Sequence, residues 1–132
     1  FTNSQKSELI LNSLQTIRTF RNTSVHNLKF ISHKSESQLP PKLLKKYIPP
    51  TLLTWKDINK NNCGIDDLYS CTLSVILLLK PYLLLSQRFI SDLLLFFYQG
   101  NGEIDPRFSN YARLTNLPMN LPHRLNIYIS NI

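Results

Sequence analysis

Apolar residues recur at helical spacing near the start of the chain. Ile10, Leu14 and Ile17 repeat every three or four residues, as they would on one face of an amphipathic helix. The polar run Asn22–Ser24 interrupts this pattern and favours a stop. We therefore predict an N-terminal amphipathic helix over residues 1–21.

The strongest apolar block covers residues 61–99, with SVILLLKPYLLL (74–85) at its centre. Its longest uncharged run, Leu68–Leu79, has 12 residues, whereas a membrane span needs about 18. Charged residues recur closely from Lys80 onwards. We predict a helical core here, either a helical hairpin or a Pro-kinked helix, and a membrane span is not expected.

A helical wheel of residues 83–98 separates a polar side from an apolar side. The polar side holds Gln87, Arg88, Ser91 and Asp92. The apolar side, which we predict to be buried, holds Leu83, Leu85, Phe89, Ile90, Leu93, Leu94, Phe96 and Phe97. If this face instead met another protein, the partner-binding residues would be Phe89, Leu93, Phe96 and Phe97.

The two remaining stretches look extended. Residues 22–60 contain two Pro-Pro pairs, which remove backbone donors and push the preceding residues into extended geometry. We predict a basic, Pro-interrupted arm there, in which Thr51 or Thr54 could cap a short helix.

Residues 100–132 are predicted to form a loop and an extended tail, and the alternation of Leu125, Ile127 and Ile129 with polar residues favours a strand. The predicted fold class is mainly α, with a small helical core, an extended basic Pro-rich arm and an extended C-terminal tail.

Charge is concentrated in the predicted arm. The chain has 15 Lys+Arg and 8 Asp+Glu, a net charge of +7. Residues 18–60 carry nine of the basic residues and two of the acids. Cations mixed with aromatic side chains are typical of nucleic-acid contacts. The candidate RNA-binding residues are Arg18, Arg21, Lys29, Lys34, Lys42, Lys45, Lys46, Tyr47, Trp55, Lys56 and Lys60.

Catalytic, metal and cofactor motifs are not evident. Cys63 and Cys71 are too far apart in sequence for the usual pairing of zinc ligands, so we predict no metal site. Asp66 and Asp67 precede a predicted helix and are better suited to capping it. No phosphate-binding loop or nucleophile elbow is present in the sequence. We predict no enzyme activity, no cofactor and no small-molecule substrate.

Composition bears on origin. There are 24 leucines and 13 asparagines but one alanine, a bias that AT-rich codons would produce. The N-terminal residues are basic and rich in Ser and Thr, which resembles transit-peptide composition, although an ordinary first helix is the interpretation we favour. We therefore expect an organellar protein in the mitochondrial matrix, with cytoplasm or nucleus as the alternative.

These observations favour a non-enzymatic structural subunit of a large ribonucleoprotein, such as an organellar ribosomal protein. In this role the basic arm contacts RNA phosphates, and neighbouring protein subunits are further partners. The alternative is a helical protein-protein interaction module or an accessory subunit of another complex. A third possibility is a protein that lies on an anionic membrane surface.

Overall fold

Seven helices make up most of the described part of the chain. The computed structural model describes residues 3–25, 34–35 and 38–132. Its helices are α1 (Asn3–Val25), α2 (Pro41–Tyr47), α3 (Trp55–Asn59), α4 (Leu68–Leu79), α5 (Leu83–Phe97), α6 (Phe108–Thr115) and α7 (Leu121–Ser130). Within these ranges, extended pairing is confined to one antiparallel bridge between Tyr98 and Ile104. The predicted mainly helical class is therefore confirmed.

Helix α1 packs mainly against α4 and also contacts α2. Its buried face consists of Leu9, Ser13, Thr16 and Phe20. The Thr16 hydroxyl donates to the carbonyl oxygen of Asn12 at 2.8 Å, so its burial leaves no unsatisfied donor. The predicted face was wrong, because Ile10 and Leu14 are about half exposed, at 46% and 50%. Small hydroxyl side chains between Leu9 and Phe20 let α1 lie close to α4, whereas Ile10 and Leu14 turn outward.

Residues 38–60 hold two short helices between and after the Pro-Pro pairs, and part of this segment is buried. Helix α3 begins with a capping box, in which the Thr54 hydroxyl accepts from the Asp57 N–H and the Asp57 carboxylate accepts from the Thr54 N–H. Apolar residues of this segment belong to the core: Leu39, Leu43, Leu44, Ile48, Leu52 and Leu53. The two Pro-Pro pairs limit α2 to seven residues. Two pairs of adjacent leucines, Leu43–Leu44 and Leu52–Leu53, are nevertheless buried in the core.

The apolar block 61–99 forms α4 and α5, which pack against each other and are joined by residues 80–82. As predicted from sequence, Asp67 caps α4 by accepting from the Ser70 N–H at 3.0 Å. The Ser86 hydroxyl donates at 2.7 Å to the carbonyl oxygen of Leu79, one of the acceptors left open at the end of α4. The two helices are separate, and Pro81 lies in the turn between them.

The buried side of α5 also differs from the predicted one. Ser86, Ile90 and Phe97 are its buried residues, and α5 packs against α4 and α7. Leu83, Leu85 and Phe96, which were predicted to be buried, are exposed. A helix with apolar residues around most of its circumference offers several possible core faces. The one chosen here includes the small Ser86, whose hydroxyl bonds the neighbouring helix.

The predicted C-terminal strand is wrong, because residues 121–130 form helix α7. Leu121, Leu125 and Tyr128 are buried and lie four and three residues apart, which matches a helical period. The alternation that suggested a strand spans only five residues and is compatible with both structures. Pro122 lies in the first turn, where proline does not interrupt helical hydrogen bonds.

One ion pair ties α7 to the middle of the chain. Arg124 Nη1 lies 2.7 Å from Asp57 Oδ2, and Arg124 Nη2 lies 3.1 Å from Asp57 Oδ1. The two side chains are 13% and 7% exposed. Arg124 Nη1 also donates to the carbonyl oxygen of Leu52 at 2.9 Å, and the Tyr69 hydroxyl donates to the same oxygen. Helices α3, α4 and α7 therefore meet at this point.

Replacing Arg124 by methionine is expected to lower the free energy of unfolding at pH 7 by about 3–5 kcal/mol, because Asp57 keeps a buried charge without its partner. The double variant D57N/R124M is expected to be more stable than R124M, since no charge is then left unpaired. Urea unfolding followed by circular dichroism measures both. Equal stability of the two variants would contradict the ion-pair argument.

The same pair should make the fold sensitive to acid. Burial acts to raise the pKa of Asp57, but hydrogen bonds from Arg124 and Thr54 outweigh it, and the pKa lies below its ordinary value of 3.8. A lowered folded-state pKa stabilises the fold above the unfolded-state value, and this stability is lost as pH falls through the folded-state value. The difference in free energy of unfolding between the unaltered chain and R124M is therefore expected to narrow as pH falls from 7 to 3. A deficit that is constant between pH 7 and pH 3 would refute this assignment.

Candidate nucleic-acid interface

Three of the predicted RNA-binding lysines lie on helix α2. Lys42, Lys45 and Lys46 are spaced so that they share the outer side of the helix, while Leu43 and Leu44 are buried on the inner side. Lys42 and Lys46 are exposed. They are four residues apart, and side chains at this spacing are about 6 Å apart at Cβ. Both lysines therefore lie on the exposed side of one short, anchored helix.

Lys45 has a structural contact that distinguishes it from its neighbours. Its Nζ donates to the carbonyl oxygen of Leu53 at 2.5 Å, and the residue is half-buried. This bond ties α2 to the residues that precede α3. Trp55 begins α3 with 47% of its surface exposed, and the exposed Lys56 and Lys60 follow. Cations and an aromatic surface therefore occur next to one another along this part of the chain.

Lys80 joins the lysines of α2, although it was not among the sequence candidates. Its Nζ donates to the carbonyl oxygen of Tyr47, the last residue of α2, at 2.9 Å. Lys80, Lys46 and Tyr47 line a groove of about 570 Å³. Lys6 of α1 lines a neighbouring groove with Lys80 and Tyr47.

Tertiary packing therefore brings Lys6, Lys46 and Lys80 to two grooves that share Lys80 and Tyr47, and Lys42 lies about one turn before Lys46 on α2. We call Lys6, Lys42, Lys46 and Lys80 the lysine surface. Among the described residues that line the two grooves, none has a carboxylate side chain. Lys6 and Lys80 were missed because both lie outside residues 18–60, where the basic residues of the sequence are concentrated. The contact from Lys80 to the end of α2 is tertiary and has no local sequence signal.

The remaining basic candidates are not all gathered there. Arg18 and Arg21 lie on α1, and Arg18 is 12 residues from Lys6, or about 18 Å along the helix. Arg21 Nη2 donates to the Asn22 side chain at 3.0 Å. Lys34 is exposed, and Lys29 lies outside the described residues. The arginines of α1 therefore form a second, separate basic group.

The four predicted partner-binding residues are split by the fold. Phe97 belongs to the core, where its ring packs edge-to-face on Phe108 with centroids 5.0 Å apart. Phe89 and Leu93 are partly buried against the same core. Phe96 is 71% exposed. Of the four, Phe96 is the one that remains open to another molecule.

The buried carboxyl of Asp67 has a structural role. It accepts from the Gly64 N–H and from Asn116 Nδ2 in addition to capping α4. Burial raises the pKa of this carboxyl, and those hydrogen bonds offset only part of the effect. Gly64 has a φ of +91°, which suits glycine, and its position lets the backbone reach Asp67.

Two findings limit the other candidate sites. Among the residues whose positions are described, no group of three His, Cys, Asp or Glu side chains could hold a metal ion. Over the same residues, no helix combines the length and apolar character needed to cross a bilayer.

Both thiols are expected to be unreactive in the folded protein. Burial raises the pKa of Cys63 to about 12 and that of Cys71 to about 11. At pH 8 the thiolate fraction of each is then roughly 100-fold or more below that of an unfolded cysteine. We expect labelling by a thiol reagent to be slow in native buffer and rapid in urea. C63S and C71S assign the two rates, and rapid native labelling of either variant would contradict this prediction.

Comparisons with known proteins found no match: neither a protein-family model, nor a curated protein, nor a solved structure resembles the chain significantly. The chemistry of its own surface therefore carries the functional argument.

Proposed function

We propose that the protein is a non-enzymatic RNA-binding subunit of a ribonucleoprotein. The observation that carries this proposal is the lysine surface, whose members on α1, α2 and the turn before α5 line or adjoin two neighbouring grooves. Polyphosphate backbones are the common cellular ligands for such a concentration of positive charge. RNA is favoured over a lipid surface because the aromatic Trp55 stands exposed in the same basic segment, two residues after the carbonyl that Lys45 contacts.

The lysines of α2 suit phosphate binding in two respects. Lysine ammonium groups act as point charges that need no fixed geometry, so they tolerate many positions of a flexible backbone. Lys42 and Lys46 are held on a helix whose inner side is buried, which reduces the entropy lost when a ligand binds. Lys45 supports the helix through its contact with Leu53 and plays the positioning role.

The wider assembly is part of the proposal. The codon-biased composition favours an organellar genome, and an organellar ribosome in the mitochondrial matrix is the leading assembly. A ribosomal subunit has both RNA and neighbouring proteins as partners. The basic group at Arg18 and Arg21 then offers a second phosphate contact, separated from the lysine surface along α1.

Replacing two phosphate-contacting lysines should weaken RNA binding and flatten its salt dependence. For K42Q/K46Q and a mixed-sequence single-stranded RNA, the slope of log K against log salt is expected to fall by about 1.4. Glutamine keeps helix propensity, so α2 should remain folded. Fluorescence anisotropy across a salt series measures the affinity and the slope together.

The matched control is R107Q/R113Q, which removes two charges from exposed arginines at the start and in the body of α6. It should change the affinity and the slope much less. If both variants weaken binding equally, net charge and not the lysine surface drives association. If the unaltered chain does not bind RNA at low salt, the proposed function is wrong.

Trp55 offers a test by a different interaction. It is the single tryptophan of the chain, so intrinsic emission reports on α3 directly. Base stacking is expected to quench this emission, and W55A should weaken binding by about 1–3 kcal/mol without changing the salt slope. W55F should retain part of the affinity. Unchanged emission on saturation with RNA would place Trp55 outside the interface.

A further inference from the structure

Helix α5 exposes a strip of side chains that the rest of the described chain leaves uncovered. The strip consists of Leu84, Leu85, Arg88, Asp92, Leu95 and Phe96. The four apolar members are 56–80% exposed. Arg88 Nε and Asp92 Oδ1 lie 3.3 Å apart between the two apolar ends. We call these six residues the α5 strip.

The order of residues in the α5 strip is symmetric about Ile90. Apolar pairs stand five and six residues to either side, and Arg88 and Asp92 stand two residues to either side. Ile90 is fully buried, and at about 100° per residue the strip is centred on the opposite side of the helix from it. If the same helix is laid over itself in the opposite direction, its apolar residues therefore coincide with apolar residues, and Arg88 coincides with Asp92.

We infer that the α5 strip is a self-association surface that binds the same strip of a second copy in antiparallel orientation. A two-fold interface requires a patch that is complementary to itself, with residue i meeting j and j meeting i. In this orientation Leu84 and Leu85 of one copy pack on Leu95 and Phe96 of the other. Arg88 then faces Asp92 of the second copy, twice.

Charge selects this orientation over the parallel one. In a parallel pair each residue meets its own counterpart, so Arg88 would face Arg88 and Asp92 would face Asp92. Like charges brought together in an interface oppose binding, whereas the antiparallel pair places opposite charges together. The interaction does not rest on RNA binding, because the lysine surface and the α5 strip have no residue in common.

The dimer is expected to be weak. One face of a 15-residue helix buries less than the roughly 800 Å² per partner of a standard interface. Each copy also carries a net charge of +7, and this repulsion is screened only partly at physiological salt. We therefore expect a dissociation constant of about 1–100 μM, a range that sedimentation equilibrium of the full chain covers.

Single charge reversals test both the surface and its register. R88E places a glutamate against Asp92 of the other copy, and D92K places a lysine against Arg88, so each variant alone should dimerise at least about tenfold more weakly. An equimolar mixture of the two should recover association, because the new glutamate of one copy then meets the new lysine of the other, and the remaining Asp92 meets the remaining Arg88. The double variant R88E/D92K should dimerise like the unaltered chain.

The control variant L11Q/L14Q removes two exposed leucines from α1, at 60% and 50% exposure, and should leave dimerisation unchanged. An unaltered chain that is still monomeric at about 200 μM, above the expected range, would overturn the proposal. Loss of dimerisation in L11Q/L14Q would show that the copies associate through non-specific apolar contacts and not through the α5 strip. Failure of the mixture to associate when the unaltered chain dimerises would exclude the antiparallel register.

Discussion

The ion pair between Arg124 and Asp57 is the contact on which the rest of the structure depends. Asp57 is also the third helical residue of the α3 capping box, and its backbone carbonyl accepts from the Cys63 N–H at 2.8 Å. Arg124 and Tyr69 both donate to the carbonyl oxygen of Leu52. A five-residue helix has little stability of its own. It persists here because its first turn is bonded to α7, and the residues before it are bonded to α4.

That anchoring determines which side chains of residues 38–60 are buried and which are exposed. With Leu52 and Asp57 fixed, the preceding leucines are drawn into the core, and the Pro-Pro pairs set the turns between them. The exposed lysines in the same segment then point away from the core, on α2 and α3. The charge of this segment is thus displayed from ordered helices over residues 38–60, so its cations have defined neighbours.

Local sequence signals were sufficient to predict where some helices begin and end, but not which of their faces are buried. The Lys80-Pro81 break, the Asp67 cap and the Thr54 cap depend on neighbouring residues and could be predicted. The buried faces of α1 and α5 could not, because both helices carry apolar residues on several sides and the choice is made by their partners. The buried faces include the small residues Ser13, Thr16 and Ser86, which allow close packing between helices. The hydroxyls of Thr16 and Ser86 also donate hydrogen bonds to backbone carbonyl oxygens.

The same distinction applies to the candidate interface. Lys42, Lys45 and Lys46 could be nominated from sequence because they are adjacent on one short helix. Lys6 and Lys80 join them through contacts between residues more than 30 positions apart, which a single sequence does not reveal. The prediction of a C-terminal strand failed for a related reason. A five-residue alternation carries little information, and the buried Arg124 bond that holds α7 is also long-range.

The two proposed surfaces have a geometric relation that gives self-association a consequence for RNA. Lys80 lies just before α5 and ten residues from Ile90, the centre of the proposed dimer. In an antiparallel pair the two Leu83 residues, which begin α5, are therefore roughly 21 Å apart along the helix direction, and each Lys80 lies in the turn just before its α5. If both proposals hold, a single RNA strand long enough to reach both lysine surfaces would bind the second at a high effective concentration. Weak dimerisation and weak phosphate contacts would then reinforce each other, because RNA that bridges two copies stabilises the dimer by the same free energy that the dimer contributes to RNA binding.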